Sequence, residues 1–289
     1  MIPFDLAEPE TLAEAVGLLA DGDPDTRPVA GGTATILMMK TGLFRPARLV
    51  SLRGIEAEHH AVESTADGGL RIGAMATLAS LEHASAVAAA APVITQTLRT
   101  LSNVRVRNVA TLGGHLAHAD PHMDLPPVLI ALGASLTVVG PSGERSLDVA
   151  DLFSGYLETT LVPGELICGV TVPPQGARRA TYMKCTTRSA DDWPALGLAV
   201  SLETEGDTIT DARVVVGAAT ETPRRLAAAE TALAGNSIDD AVLKRAGDAA
   251  ADEAEIESDA QGSAAYKREL LRVHVGRAVR RALADGTGG

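Results

Sequence analysis

The chain has 289 residues, 46% of them hydrophobic and 21% charged, which is the composition of a globular protein large enough for two or three cores. Its 37 acidic residues outnumber its 25 basic residues, and the formal net charge of −12 argues against binding to nucleic acid or to anionic membranes. The apolar stretches are too short to cross a bilayer and the first residues lack the pattern of a signal peptide, so we expect a cytoplasmic protein.

The first 55 residues predict a compact βαβ-like unit. Thr11 and Glu14 have the spacing of a helix-capping box, and apolar residues follow at helical intervals. After a turn, residues 28–30 predict a short buried strand, residues 36–39 a helical turn and residues 49–52 a second strand.

A glycine pair, Gly31 and Gly32, lies between the first of these strands and the helical turn. Adjacent glycines let the backbone turn tightly and bring its N–H groups close to an anion, since no Cβ stands in the way. Thr33 adds a hydroxyl donor. An ordinary tight turn explains a single pair of this kind equally well.

The middle of the chain predicts a strand, two helices, a glycine loop, a third helix that begins at two prolines, and two further strands. In chain order these elements cover residues 69–73, 77–91, 93–101, 111–116, 126 onward, 136–139 and 165–172. Residues 173–176, Pro-Pro-Gln-Gly, predict a linker.

The second glycine pair, Gly113 and Gly114, runs directly into a segment rich in histidine and aspartate. Two such loops predict one diphosphate held from two sides, and hence a dinucleotide such as FAD. Asp124 suits a ribose or ribityl hydroxyl, because an ionised carboxylate accepts strongly from an O–H group. A metal site and solvated loop histidines are the alternatives, although Pro121 makes a regular helical pair of His118 and His122 improbable.

The remainder of the chain predicts two strands, at residues 196–202 and 212–216, and then helices. The last helix, residues 263–284, has an apolar face, and the tail 285–289 is predicted to be disordered. Lys184 fits a surface lysine as well as a ligand contact, and Trp193 fits a packing anchor as well as a stacking platform. Two cysteines cannot supply the four ligands that an iron–sulfur cluster normally needs.

Together these residues resemble the FAD-binding medium subunit of the molybdenum hydroxylase family, which includes carbon monoxide dehydrogenase and xanthine dehydrogenase. The second loop resembles the family pattern R-N-x-x-T-[IL]-G-G-[ND], except that His115 stands where Asn or Asp is usual. The segments that carry the resemblance are residues 30–33, 105–121, 155–156, 163–166, 188–193, 222–225 and 262–268.

The resemblance implies an α+β protein with a two-subdomain FAD-binding fold of the vanillyl-alcohol-oxidase (PCMH) type, followed by a C-terminal α+β domain. We predict FAD-binding subdomain 1 at residues 1–55, FAD-binding subdomain 2 at residues 56–175 and the C-terminal domain at residues 176–289.

The resemblance also implies which residues hold the cofactor. The two glycine loops surround the pyrophosphate, the backbone of Ile167 approaches the flavin, Lys184 lies near the isoalloxazine and favours the anionic reduced flavin, and Trp193 lies against the ring. The full set is Val29, Ala30, Gly31, Gly32, Thr33, Ala34, Thr35, Thr111, Leu112, Gly113, Gly114, His115, His118, Asp124, Ile167, Lys184 and Trp193. We predict no catalytic acid or base and no metal ligand, and His115 leads to the hypothesis of a pH-dependent FAD affinity.

The implied function is electron transfer. In this family the substrate is hydroxylated at a molybdenum–pterin centre on a large subunit, and a small subunit with 2Fe-2S clusters passes electrons to non-covalent FAD, which reduces an external acceptor. The implied assembly is a dimer of heterotrimers. Two alternatives remain at this point: a stand-alone FAD-dependent oxidoreductase of the same fold, and a non-catalytic nucleotide-binding assembly subunit.

Overall fold

The computed structural model describes residues 2–285, without the side chain of residue 285. Its first unit is a parallel sheet in the order β1-β3-β2 with two helices. The elements are β1 Asp5–Ala7, α1 Leu12–Leu19, β2 Thr26–Val29, α2 Thr35–Thr41 and β3 Arg48–Ser51. The predicted βαβ unit is confirmed, since β2 and β3 are parallel neighbours joined through α2.

The predicted capping box forms in one direction only. The side chain of Thr11 accepts a hydrogen bond from the N–H of Glu14 at 3.1 Å, as expected for a helix N-cap. The carboxylate of Glu14, however, accepts from the N–H of Glu10 at 2.9 Å rather than from that of Thr11.

The second unit is an antiparallel sheet in the order β4-β5-β10-β6-β7, covered by helices. Its elements are β4 Val62–Ser64, β5 Leu70–Gly73, α3 Leu78–His83, α4 Ser85–Ala90, α5 Pro92–Leu98, α6 Val104–Arg107, α7 Leu112–Ala117, α8 Leu125–Leu132, β6 Ser135–Gly140, β7 Gly143–Asp148, β8 Phe153–Gly155, β9 Glu158–Thr159 and β10 Leu166–Val172. The prediction of one helix over residues 77–91 is wrong, because extended backbone at Ala84 divides it into α3 and α4.

The third unit is an antiparallel sheet in the order β11-β12-β13-β14, with helices on one face. Its elements are β11 Arg179–Cys185, β12 Leu196–Glu205, β13 Thr208–Gly217, β14 Arg224–Arg225, α9 Ala227–Leu233, α10 Asp240–Glu253 and α11 Ala264–Asp285. The predicted apolar face of the last helix is buried, with Leu271, Val275, Ala278 and Ala282 at most 1% exposed. Asp285 is the last residue of α11, and the rest of the predicted disordered tail lies outside the described residues.

The second and third units share a core. Tyr182, Ala199 and Val215 of the third sheet belong to the same buried apolar cluster as the helices of the second unit, whereas the opposite face of that sheet packs against α9 and α11. This continuous packing fixes the third unit against the segment that follows the second glycine loop. The boundaries at residues 55 and 175 stay a prediction. None of the described helices combines the length and apolarity needed to cross a bilayer.

Candidate functional site

The two glycine loops lie in contact with each other. A Cβ built on Gly31 would lie 2.0 Å from the carbonyl oxygen of Val109 and 2.8 Å from the Cα of Ala110, directly before the second loop. A Cβ on Gly114 would in turn lie 3.7 Å from the Cβ of Ala30. Glycine therefore allows the backbones of the first and second units to meet where the sequence predicts a shared diphosphate site.

The first loop has free amides. Among the described residues, the N–H groups of residues 30–35 donate no hydrogen bond. Gly32 has a φ of +71°, and its carbonyl accepts from the N–H of Ile36 at 2.9 Å as α2 begins. Consecutive unbonded amides around a positive-φ glycine form a concave surface that favours an anion.

The second glycine pair lies in the first turn of α7 and not in the predicted loop, and this segment (residues 111–116, hereafter the second loop) has its amides bonded within the protein. The N–H groups of Leu112 and Gly113 donate to the carbonyls of Ala76 and Ala74 at 3.0 and 2.7 Å, which ties the loop to the end of β5. The N–H of Gly114 donates to the Thr111 hydroxyl at 3.2 Å, an N-cap bond. This loop can therefore offer side chains to a ligand more readily than it can offer these amides.

His115 is the side chain of the second loop with an unmet bonding requirement. The residue is 8% exposed, and its Nε2 atom is buried without a hydrogen-bond partner. Burial, with a smaller contribution from His118, lowers the pKa of His115 to about 3, so the ring is neutral at ordinary pH. A buried ring nitrogen without a partner fits a site where a ligand atom completes the bond.

His118 and Asp120 follow at the end of α7. Burial lowers the pKa of the half-buried His118. Burial would raise the pKa of Asp120, but hydrogen bonds from the side chain and the N–H of His122 outweigh it and lower that pKa. Asp120 is therefore a carboxylate, held in place by the residue two positions further on.

Asp124 is buried and bonded at both oxygens. It accepts from the Tyr182 hydroxyl at 2.7 Å and from the Lys184 ammonium at 2.9 Å. Lys184 also donates to the carbonyl of Thr100 at 2.9 Å. Burial raises the pKa of Asp124, and Lys184 opposes that rise. A sugar hydroxyl would have to compete with two donors for Asp124, and the charge of Lys184 is already paired.

A second charge cluster joins the second and third units, with Lys267 buried and Asp259 at the surface. The ring of His122 contacts Asp120 through Nδ1 at 3.0 Å and Asp259 through Nε2 at 2.9 Å. Lys267, which is 1% exposed, donates to Asp259 at 2.5 Å. Trp193 stacks on His122 with ring centroids 5.1 Å apart.

Comparison with known proteins identifies the family. Residues 2–175 match the family described as the FAD binding domain in molybdopterin dehydrogenase, and residues 181–282 match the carbon monoxide dehydrogenase flavoprotein C-terminal domain. The chain belongs to this family of FAD-binding medium subunits. The resemblance drawn from the sequence motifs is thereby confirmed, together with the α+β FAD-binding fold and the C-terminal domain.

Individual medium chains are similar along almost their whole length. The carbon monoxide dehydrogenase medium chain of Afipia carboxidovorans is 33% identical, with 98% of this chain and 99% of that one aligned. The glyceraldehyde dehydrogenase medium chain of Sulfolobus acidocaldarius is 29% identical, with 93% and 95% aligned. A structure of carbon monoxide dehydrogenase from Hydrogenophaga pseudoflava, which lacks the Mo-pyranopterin moiety of its cofactor, superimposes with a TM-score of 0.94 at 31% identity over 98% and 99%.

In this medium subunit, Ile167 lies at an irregularity of β10. The register of β10 against β6 shifts between Ile167 and Gly169, so Cys168 is left out of the pairing. The carbonyl of Cys168 instead accepts from the N–H of Ala74 at 3.0 Å. Since Ala74 also accepts from Gly113, a short chain of backbone bonds connects this irregularity to the second glycine loop.

The sequence prediction missed the interaction partners of its own site residues. Tyr182, Asp259 and Lys267 complete the two charge clusters, but Asp259 is 137 residues from His122 and no local pattern relates them. A sequence feature that could have indicated Lys267 is the segment 262–268, which resembles the family and contains this residue. Within the described residues, no group of three or more His, Cys, Asp or Glu side chains is arranged to hold a metal ion.

Proposed function

We propose that this medium subunit binds FAD non-covalently at the contact between its two glycine loops and serves electron transfer from a partner subunit to an external acceptor. The observation that carries the proposal is the pairing of unbonded amides at residues 30–35 with the orphaned Nε2 of His115. Amide donors and a neutral imidazole N–H both suit phosphate oxygens. When bound, FAD supplies the redox chemistry by accepting and releasing electrons.

The residues of the chain bind and orient the cofactor rather than react with it. The amides of residues 30–35 bind one side of the diphosphate, and the close approach of Gly31 to Val109 holds the second loop on the other side. The indole of Trp193, which is 48% exposed, offers a surface for the isoalloxazine. Because Lys184 is paired with Asp124, this pair places little net charge beside the ring. The first loop contains no histidine for covalent attachment.

The proposed partners follow from the relatives, which are medium chains or subunits of multisubunit dehydrogenases. In this proposal a large subunit holds the molybdenum cofactor and catalyses hydroxylation of the substrate. A small subunit holds the 2Fe-2S clusters and delivers the electrons. The complex is a dimer of such heterotrimers, and the role of this chain ends with delivery to the acceptor.

The test is an absorbance spectrum of the full chain, purified alone and after co-expression with the subunits encoded beside it. We expect flavin absorbance that acid or heat releases into solution, and bleaching of that absorbance when the substrate of the complex is added. A complex that stays colourless with added FAD would overturn the proposal in favour of an assembly subunit. A purified chain that binds FAD and catalyses a complete redox reaction without partner subunits would favour a stand-alone oxidoreductase.

A further inference from the structure

Trp193, the only tryptophan of the chain, lies on the link between β11 and β12 and is 48% exposed. One face of its indole is stacked on the ring of His122, with an interplanar angle of 23°. The backbone N–H of Trp193 donates to the adjacent Asp192 carboxylate at 2.8 Å. The stack on His122 therefore supports one face of the indole.

His122 is itself fixed at both ring nitrogens. Carboxylate oxygens only accept hydrogen bonds, so the contacts of the ring with Asp120 and Asp259, at 3.0 and 2.9 Å, are both hydrogen bonds when each ring nitrogen carries a proton. Such a ring is a cation, and a cation packed on an indole face is attracted by the electrons of the ring. Rotation of the ring breaks both bonds and loss of either proton breaks one of them, so the two carboxylates fix the orientation of the protonated imidazole.

The bonds to His122 come from different units of the chain. Asp120 follows the second glycine loop, whereas Asp259 lies between α10 and α11 of the third unit and is braced by the buried ammonium of Lys267. Lys267 also donates to the carbonyl of Ala218 at 3.0 Å, and the N–H of Ala218 donates to the carbonyl of Pro121 at 2.8 Å. Asp259 and Trp193, which both belong to the third unit, are thus joined through His122 of the second unit.

We propose that His122 is a positioning residue that fixes Trp193, so that the open face of the indole meets the flavin ring and the C-terminal domain sets the orientation of this platform. The contact of Trp193 with the flavin, here called the platform, depends on the proposed function. The stack of His122 on Trp193 is part of the structure and does not depend on it. In this arrangement His122 contributes without touching the cofactor.

The charges around His122 make the stack sensitive to pH. Burial alone would lower the pKa of His122, but the hydrogen bonds to Asp120 and Asp259 outweigh it, and the pKa lies above its ordinary value. Cation and stack are therefore fully present below the ordinary histidine pKa and are lost as the pH rises through the raised one. The ionisable groups that face the ring, directly or through one neighbour, are Asp120, Asp259, Lys267, His118, Asp124 and Lys184.

Tryptophan fluorescence of the full, cofactor-free chain tests the stack, because a protonated imidazole against an indole quenches its emission and the chain has a single tryptophan. We expect emission to rise with pH in one step centred above the ordinary histidine pKa. His122→Asn should remove the step and raise the emission at low pH. Asp259→Asn, which keeps the shape but removes a charge, should move the step to lower pH. His60→Asn, at an exposed position, is the matched control and should behave as the wild type.

The contact between Trp193 and the flavin is tested in the complex with its partner subunits. FAD is titrated into this complex, and its binding is followed by the quenching of flavin fluorescence. We expect His122→Asn to weaken FAD binding by about tenfold and to reduce the quenching of the bound flavin. Unchanged emission and an unchanged pH step in His122→Asn would overturn the stack. Altered emission with wild-type FAD affinity and quenching would overturn the platform. If the wild-type complex binds no FAD, the proposed function and the platform fail, while the emission step still decides the stack.

Discussion

The first glycine loop leaves its amides unbonded, whereas the second loop has bonded its amides to neighbouring backbone and to Thr111. In the first loop Gly32 supplies a positive φ, and Gly31 gives room for the carbonyl of Val109. In the second loop Gly113 gives room for Ala74, since a Cβ there would lie 2.7 Å from the Cβ of that residue. The same dipeptide thus serves conformation and close contact in one loop, and close contact alone in the other.

The difference indicates that the two loops have different roles at one binding site. The first loop is shaped as a surface for an anion, and the second loop is a rigid support that presents His115 and holds the segment leading to Asp120. A sequence pattern that treats both glycine pairs as amide donors describes only the first. Three changes test this comparison, beginning with the one expected to have the largest effect.

The largest effect is expected at the contact between the loops. Gly31→Ala would place a methyl group 2.0 Å from the carbonyl oxygen of Val109, so the loops must separate. We expect a loss of about 3 kcal/mol in the free energy of unfolding and no measurable FAD binding. Urea unfolding and FAD titration measure the two effects. The control is Gly17→Ala, at an exposed helical position with no atom within 4 Å, which should be neutral or slightly stabilising. Equal behaviour of the two variants would contradict the tight contact.

A smaller effect is expected from His115. This residue should lower the free energy of unfolding by about 2 kcal/mol at pH 5 relative to neutral pH. Because burial lowers its folded-state pKa to about 3, the unfolded chain binds a proton more readily below pH 6.5. The contribution of His115 to stability is present above pH 6.5 and falls toward pH 3, by about 1.4 kcal/mol for each pH unit. His115→Asn should reduce the pH dependence of the unfolding free energy by this contribution, measured by urea unfolding at several pH values. The exposed His83→Asn should keep the wild-type pH dependence, and a pH dependence in His115→Asn as steep as that of the wild type would refute the assignment.

The smallest effect on stability separates backbone strain from ligand binding. Gly32→Ala and Gly68→Ala both place a Cβ at a positive φ, at +71° and +91°, and each should cost about 1–2 kcal/mol of unfolding free energy. Gly68 lies in a turn away from the loops, so only Gly32→Ala should weaken FAD binding. Similar FAD affinity in the two variants would show that the first loop does not hold the diphosphate.

The same comparison explains how much the sequence alone could predict. The βαβ unit, the helix with Pro126 and Pro127 in its first turn and the apolar face of the last helix follow from local spacing, and each is confirmed. The break at Ala84 could not be predicted, because alanine has high helix propensity and tertiary packing decides where such a segment bends. The roles of Lys184 and Trp193 were drawn from family resemblance and stay predictions.

The physical state of the site residues was the least predictable feature. Whether an amide is free depends on which carbonyl lies opposite it, and Ala74 and Ala76 are about forty positions before the second loop. The neutral state of His115 depends on burial, so the hypothesis that this residue makes FAD affinity pH-dependent loses its basis at ordinary pH. The bonds of His122 to Asp259 and of Asp124 to Tyr182 join units that sequence spacing does not connect.

The central place of β10 has a consequence for biosynthesis. This strand pairs with β5 on one side and β6 on the other, yet it is the last strand of its sheet to be translated. Helices α3 to α8 are synthesised before β10, the strand that lies between β5 and β6. The nascent chain therefore has one unpaired edge on β5 and one on β6 until residue 172 emerges from the ribosome. Completion of the dinucleotide site is thereby delayed until well after both glycine loops have been synthesised.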